Sequence, residues 1–362
     1  AARRTTSAAS SYRSASSRIP PNRANAPPCA GAFSRICTHA RSARLRMAAM
    51  PRHSLRLGSV VDRAEVSGGG ASASAAGTVS LAGWEPVGPG NIGGRTRVLL
   101  VNPADHAGMY ACGVSGGVWK SLDAGAHWEA LSDDLANITV NALVMDPSDP
   151  ETLYAGTGEG YFREEVRGTG LPLRGAGIFK SSDGGGSWSR LAATTSEDFH
   201  WVNDIVVSTN EPRRIYAATR TGVWRSVDAG ESWQQVLATQ VTGGCLDLAA
   251  RTDRATDTLF ASCGTFERAS IYRNEAAETA GPWTTVFSEA TMGRTSLAIA
   301  PSNQDVVYAL AALNDPQHRE QYDQGLLGVY RSTSGGASGS WQTRVRYDNT
   351  SKLNSLLLTN PL

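Results

Sequence analysis

The chain has 362 residues, 41% of them hydrophobic, and a formal net charge of +1 at pH 7. That length accommodates two average domains or one large β architecture. The charge is unevenly placed: residues 1–61 hold eleven Arg and no acid, whereas 62–362 hold 23 basic and 33 acidic residues, a balance of −10 that argues against a nucleic-acid role.

Residues 1–80 have the composition of a tail and linker. "AARRTTSAASSYRSASSRIPPNRANAPP" is rich in Ala, Ser, Arg and Pro, and "SGGGASASAAG" at 67–77 is Gly/Ser-rich. Such segments cannot bury enough apolar surface to offset the entropy of ordering. The Arg-rich, acid-free composition matches an organelle transit peptide. A start at Met47 or Met50 is the alternative, leaving the residues before it untranslated. Within the chain no stretch offers the unbroken apolar core of a secretory signal or the ~18 apolar residues of a membrane span.

From residue 81 onward the chain repeats itself. "KSLDAGAHW" (120–128), "KSSDGGGSW" (180–188) and "RSVDAGESW" (225–233) share the box Ser-x-Asp-x-Gly-x-x-Trp. Its members are Ser121, Asp123, Gly125 and Trp128, then Ser181, Asp183, Gly185 and Trp188, then Ser226, Asp228, Gly230 and Trp233. Each box is preceded by a short apolar strand: "GGVWKS", "AGIFKS" and "TGVWRS". Further upstream lie "MYACG", "TLYAGTG" and "RIYAATR", and before those "RVLLVNP", "NALVMDP" and "NDIVVSTN". A strand after each Trp completes a four-stranded antiparallel unit, the pattern of a propeller blade. Two weathered copies follow at 246–286 and 297–345, with Asn274 and Ser334 replacing box residues. The fold class is therefore all-β, a β-propeller of four-stranded antiparallel blades, over residues 81–362.

The box has a physical logic. It occupies the hairpin between the third and fourth strands, where Ser and Asp side chains can bind turn N–H groups. Its Gly permits a positive φ. Its Trp wedges between neighbouring blades, so Trp128, Trp188, Trp233, Trp283 and Trp341 are expected to be buried. A structural role for the three Asp residues follows, and the oxygen spacing of a calcium loop is absent.

With these motifs the chain resembles the BNR, or Asp-box, repeat β-propellers. That group contains sialidases, xyloglucan-cleaving glucanases, sortilin-type receptors and a photosystem II assembly factor. "GPGNIGGRTRVLLVNP", "GVSGGVWKSLDAGAHW" and "GTGEGYF" are most similar to uncharacterised extracellular BNR-repeat proteins. The resemblance implies an extracytoplasmic module that binds a glycan or a protein. It leaves open a glycoside hydrolase with part of its site in further blades, and an organellar assembly factor. The fold does not decide among them. No cofactor, metal or nucleic-acid partner is implied.

In such propellers the ligand face lies opposite the boxes, on blade entrances and on loops between second and third strands. Those segments carry Arg95, Glu159, Tyr161, His200, Trp201, Glu267 and Tyr322, with Glu197, Asp198 and His318 beside them. Glu159, Glu164 and Glu165 are the candidate catalytic carboxylates, since glycosidases work with two such groups. The sialidase pattern of three arginines and a Tyr–Glu pair is not legible in blade order: Arg18-Ile19-Pro20 lies in the tail, and Arg95 and Arg97 lack Ile-Pro behind them.

Cys245 and Cys263 fall opposite each other if their strands form a hairpin, as a disulfide or as two buried thiols. Cys112 reads as an ordinary buried thiol. Trp84–Val87 reads as a lone fourth strand, and Asn354–Leu362 as a first strand. Five complete blades and a partial one, part of a longer ring, are therefore expected.

Overall fold

The computed structural model describes residues 95–131, 135–161, 173–239, 241, 243–279, 281–314 and 325–346. The tail, Trp84–Val87, Asn354–Leu362, Glu164, Glu165, His318 and Tyr322 lie outside the described residues.

Five four-stranded antiparallel sheets follow one another along the chain, each with its strands in chain order. The first holds β1 (Thr96–Val101), β2 (Met109–Gly113), β3 (Gly117–Ser121) and β4 (Glu129–Leu131). The second holds β5 (Val140–Asp146), β6 (Asp149–Thr157), β7 (Ile178–Ser181) and β8 (Ser189–Arg190). The third comprises β9 (Val202–Val207), β10 (Ile215–Thr219), β11 (Gly222–Ser226) and β12 (Gln234–Ala238). The fourth comprises β13 (Cys245–Ala250), β14 (Leu259–Cys263), β15 (Ser270–Asn274) and β16 (Thr284–Phe287). The fifth comprises β17 (Met292–Ile299), β18 (Val307–Leu313), β19 (Leu326–Ser332) and β20 (Gln342–Arg346). This is the blade architecture of a β-propeller.

The core is divided between successive blades. Four hydrophobic clusters each join one blade to the next. Alternating side chains of one strand serve different clusters: Leu143 packs toward the first blade and Ala142 toward the third. Tyr216 packs toward the fourth blade while Ala217 packs toward the second. A strand covered on both faces needs apolar residues throughout, which is why β10 reads Ile-Tyr-Ala-Ala-Thr and is buried along its whole length. The first strands line a central channel of about 410 Å³, walled by Val98, Leu143, Ile205, Leu248 and Leu297.

The boxes are nearly superimposable hydrogen-bond devices. Ser121, Ser181 and Ser226 each accept the backbone N–H of the box Gly, at 2.9, 2.8 and 2.8 Å, and donate to the box Asp. Each Asp then accepts the N–H of the residue four positions on, at 2.8 to 2.9 Å. These bonds, led by those from the side chains of His127, Ser187 and Ser232, hold Asp123, Asp183 and Asp228 down to about 2. The turn needs two consecutive positive φ angles: Ala124 and Gly125 (56° and 88°), Gly184 and Gly185 (63° and 90°), Ala229 and Gly230 (61° and 97°).

The hairpins are only partly exposed: Asp123 and Asp183 face solvent and Asp228 is half-buried, whereas Gly184, Gly185 and Gly230 are buried. One expectation about the boxes is corrected. All five Trp residues are half-buried rather than buried; Trp188, Trp233, Trp283 and Trp341 each pack against the edge of an inter-blade cluster. Trp128 and Trp233 donate to Gly125 and Gly230 carbonyls at 3.0 and 3.1 Å, whereas Trp188 Nε1 has no partner among the described residues.

Polar stitches reinforce the seams at the box end. Tyr110 and Lys120 of the first blade donate to the Gly184 carbonyl in the second blade's box, each at 3.2 Å. Asp257, between β13 and β14 and only 3% exposed, receives four donors from the third blade. They are Ser208 Oγ at 2.7 Å and Asn210 Nδ2, Arg214 Nη1 and Tyr216 Oη at 2.8 Å. Burial alone would raise the Asp257 pKa, but bonds led by Arg214 bring it below the ordinary carboxylate value. Arg251, itself buried, likewise bridges Asp253 to Asp305 of the fifth blade at 2.7 and 2.8 Å.

Candidate functional site

The opposite end of each blade begins with a β-bulge. In every sheet the first strand carries one residue more than its partner near its start. The extra positions fall at Arg97, Asn141, Asn203, Leu246 and the pair Gly293–Arg294. A bulge breaks the alternation of the strand and re-aims a side chain. Here five bulges sit at the starts of the five first strands, and four of them carry a polar side chain.

The segment after β6 joins these positions. Glu159 is 7% exposed and its N–H donates to Leu173 at 2.9 Å, which fixes its backbone. Arg95 donates to both carboxylate oxygens of Glu159, at 3.0 and 2.9 Å, and Arg97 forms a second ion pair with the same carboxylate. Gly160 passes directly against Asn203, where any Cβ would collide with the amide. Tyr161, 3% exposed, has two guanidinium groups against its ring, Arg97 at 5.1 Å and Arg294 at 4.0 Å from the ring centre. Asn141 Nδ2 reaches the Tyr161 hydroxyl at 3.5 Å.

Arg294 is the most unusual group of this rim. Among the described residues it donates no hydrogen bond to a carboxylate and forms no ion pair; its recorded neighbour is the Tyr161 ring. Loss of hydration draws its pKa down to about 10, with Asp247 opposing and Arg95 reinforcing that shift. Asp247, 4% exposed, supplies the second buried carboxylate of the region.

The sequence-derived candidates divide in space. Arg95, Glu159 and Tyr161 meet in one cluster. His200 and Trp201 stand beside it at the entrance to the third blade: His200 Nε2 lies 2.6 Å from Arg174 and Trp201 stacks on Arg220 at 5.1 Å. His200 is lowered from its ordinary value by burial and then by Arg174. Glu267 is exposed in the β14–β15 loop. Glu197 and Asp198 lie on a 3-10 turn, Glu197–Phe199, that turns them to the surface. Cys245 and Cys263 face each other in register and are bonded as a disulfide. Cys112 is free and buried, and burial pushes its thiol up.

Arg294, Asn141, Asn203 and Asp247 escaped the sequence reading. A signal for them existed: each precedes or opens the apolar run of a first strand, in "VNALVMD", "VNDIVV", "CLDLAA" and "MGRTSLAI". Aligning the repeats by their first strands rather than by their boxes exposes a polar column.

The fold thus defines a β-propeller with a polar, arginine-rich rim around one end of its first strands. No protein-family model and no curated protein matches the chain. Among solved structures it is similar to an ancestral GH74 enzyme, at 16% identity over 70% of this chain with a TM-score of 0.52. It is also similar to the GH74 enzyme of Niastella koreensis, at 18% identity over 69% with a TM-score of 0.51. The chain spans 34% and 38% of those two proteins. YCF48 bound to D1 peptide matches 69% of the chain at 14% identity, with a TM-score of 0.35. These likenesses concern the fold.

Proposed function

We propose that the chain is an extracytoplasmic, Asp-box-type propeller that binds an acidic glycan on its bulged rim. The observation that carries this reading is Arg294, a desolvated guanidinium without a carboxylate partner among the described residues. It stands beside amide and carboxylate side chains suited to sugar hydroxyls. Among the described residues Asp247 acts on Arg294 through space without a direct bond, so its guanidinium donors are able to take an anion from outside. Arg95, Tyr161, His200 and Trp201 complete the proposed binding face, with Tyr161 and Trp201 holding the guanidinium groups of Arg294 and Arg220 in place. The Cys245–Cys263 bridge favours an oxidising compartment. Among the described residues no helix is long and apolar enough to cross a membrane.

In this reading the boxes are structural and Glu159 is a positioning residue, because two guanidinium groups hold its carboxylate. A hydrolase is the second reading. It is favoured by Asp247 and Glu159, two buried carboxylates on one rim. Binding to glucuronate- and galacturonate-containing oligosaccharides, measured by calorimetry against their methyl esters, tests the proposal. Arg294→Gln is expected to weaken binding of the acids at least tenfold, the loss of one charge-assisted contact. Equal binding of acid and ester would overturn the acidic-ligand reading. Release of new reducing ends, lost in Asp247→Asn, would establish the hydrolase.

A further inference from the structure

The Arg95 fork is already full. Both of its terminal nitrogens donate to Glu159, at 3.0 and 2.9 Å, in the parallel two-bond geometry by which a guanidinium grips any carboxylate. The Arg95 side chain is nevertheless 43% exposed, whereas that of Glu159 is 9% exposed. A cation that solvent can reach is therefore occupied from behind by a group belonging to the chain itself. Arg294, 4.0 Å from the centre of the Tyr161 ring, is not occupied in this way among the described residues.

We infer that Glu159 is a built-in competitor: a tethered carboxylate that occupies Arg95 and must yield at least one of its two bonds when an acidic ligand binds. The inference rests on the acidic-glycan reading and adds to it a specificity-determining role for Glu159. Three features support it. The Glu159 backbone is held by Leu173 and by the close approach of Gly160 to Asn203, so the carboxylate is presented at high local concentration. Arg97, largely buried, retains contact with Glu159 and can keep its charge paired while Arg95 changes partner. The fixed negative charge also sets a threshold. A ligand must offer a full carboxylate to compete, while neutral sugars gain nothing from the Arg95 fork.

The test measures binding of tetragalacturonate and its methyl ester to the wild-type chain and to Glu159→Gln, by calorimetry at fixed ionic strength. Gln keeps the size of the side chain but removes the competing charge. The acid form is expected to bind Glu159→Gln about tenfold more tightly, with the ester unchanged. Arg95→Gln should erase that gain in the double variant. Circular dichroism and the melting midpoint monitor folding, since Glu159→Gln leaves Arg97 less well paired. Should Glu159→Gln fail to fold, competition is read in the wild type and Arg95→Gln alone: a release of Glu159 predicts that Arg95→Gln weakens acid binding and leaves the ester unaffected. Weaker or equal acid binding by a folded Glu159→Gln overturns the inference and leaves the acidic-glycan reading standing. No binding of the acid by either protein overturns both.

Discussion

The two ends of each blade obey different rules. At the box end, the first three blades repeat the same side chains in the same roles, down to a Ser Oγ within 2.8 to 2.9 Å of the Gly N–H. At the rim end, all five blades repeat a backbone device, the bulge, and vary the residue on it between Arg, Asn and Leu. Uniform side chains solve a problem common to every blade, namely the turn and the seam. Uniform backbone with varied side chains builds one asymmetric surface from a symmetric scaffold. On the proposed reading, stability concentrates at the box end and recognition at the rim, and substitutions should separate the two.

The largest effect is expected at Asp257. Replacing it by Ala strands Arg214 and three further donors between the third and fourth blades, a loss of about 3–5 kcal/mol in denaturant unfolding. A variant as stable as the wild type would remove this stitch from the account. Trp188→Ala comes next, at about 2 kcal/mol, below the cost of a fully buried aromatic because Trp188 is only half-buried.

Acid should act selectively on the box end. Asp123, Asp183 and Asp228, held at about 2, and Asp257, also lowered, bind protons less readily folded than unfolded. Their contribution is complete above the unfolded value of ~3.9 and is lost as pH falls from there toward about 2. A melting midpoint that holds level from pH 4 to pH 2 would contradict that sign. The smallest stability effect is reserved for the rim: Arg294→Gln should alter unfolding by no more than about 0.5 kcal/mol while weakening acid binding. A large loss of stability there would make Arg294 a structural residue and blur the division between the two ends.

Much of the box end was legible in one dimension, because its chemistry is local. Ser121, Asp123 and Gly125 fall within five residues, so their spacing already encodes the turn. What spacing missed was degree: the hairpins are partly covered and four of the Trp side chains lie at the edges of seams, which depends on how closely the next blade approaches. The rim was legible only in part. Glu159 and Tyr161 stood out as polar residues just beyond a strand, and Arg95 as a blade entrance, but Arg294 lies 135 positions beyond Glu159 and looks like any strand-opening Arg.

By itself the sequence determined the all-β blade pattern, the strands of five blades, the turn chemistry of the boxes and the pairing of Cys245 with Cys263 in register. Each of these follows from periodicity or from contacts made within one hairpin. Only the tertiary structure decided which charges meet. The rim assembles from the starts of strands in different blades. The five bulges turn those side chains out of the alternation that a sequence reading assumes. The match of Glu159 to Arg95, and the placing of Arg294 against Tyr161, are consequences of how the blades are set around the channel, and distance along the chain carries no record of that.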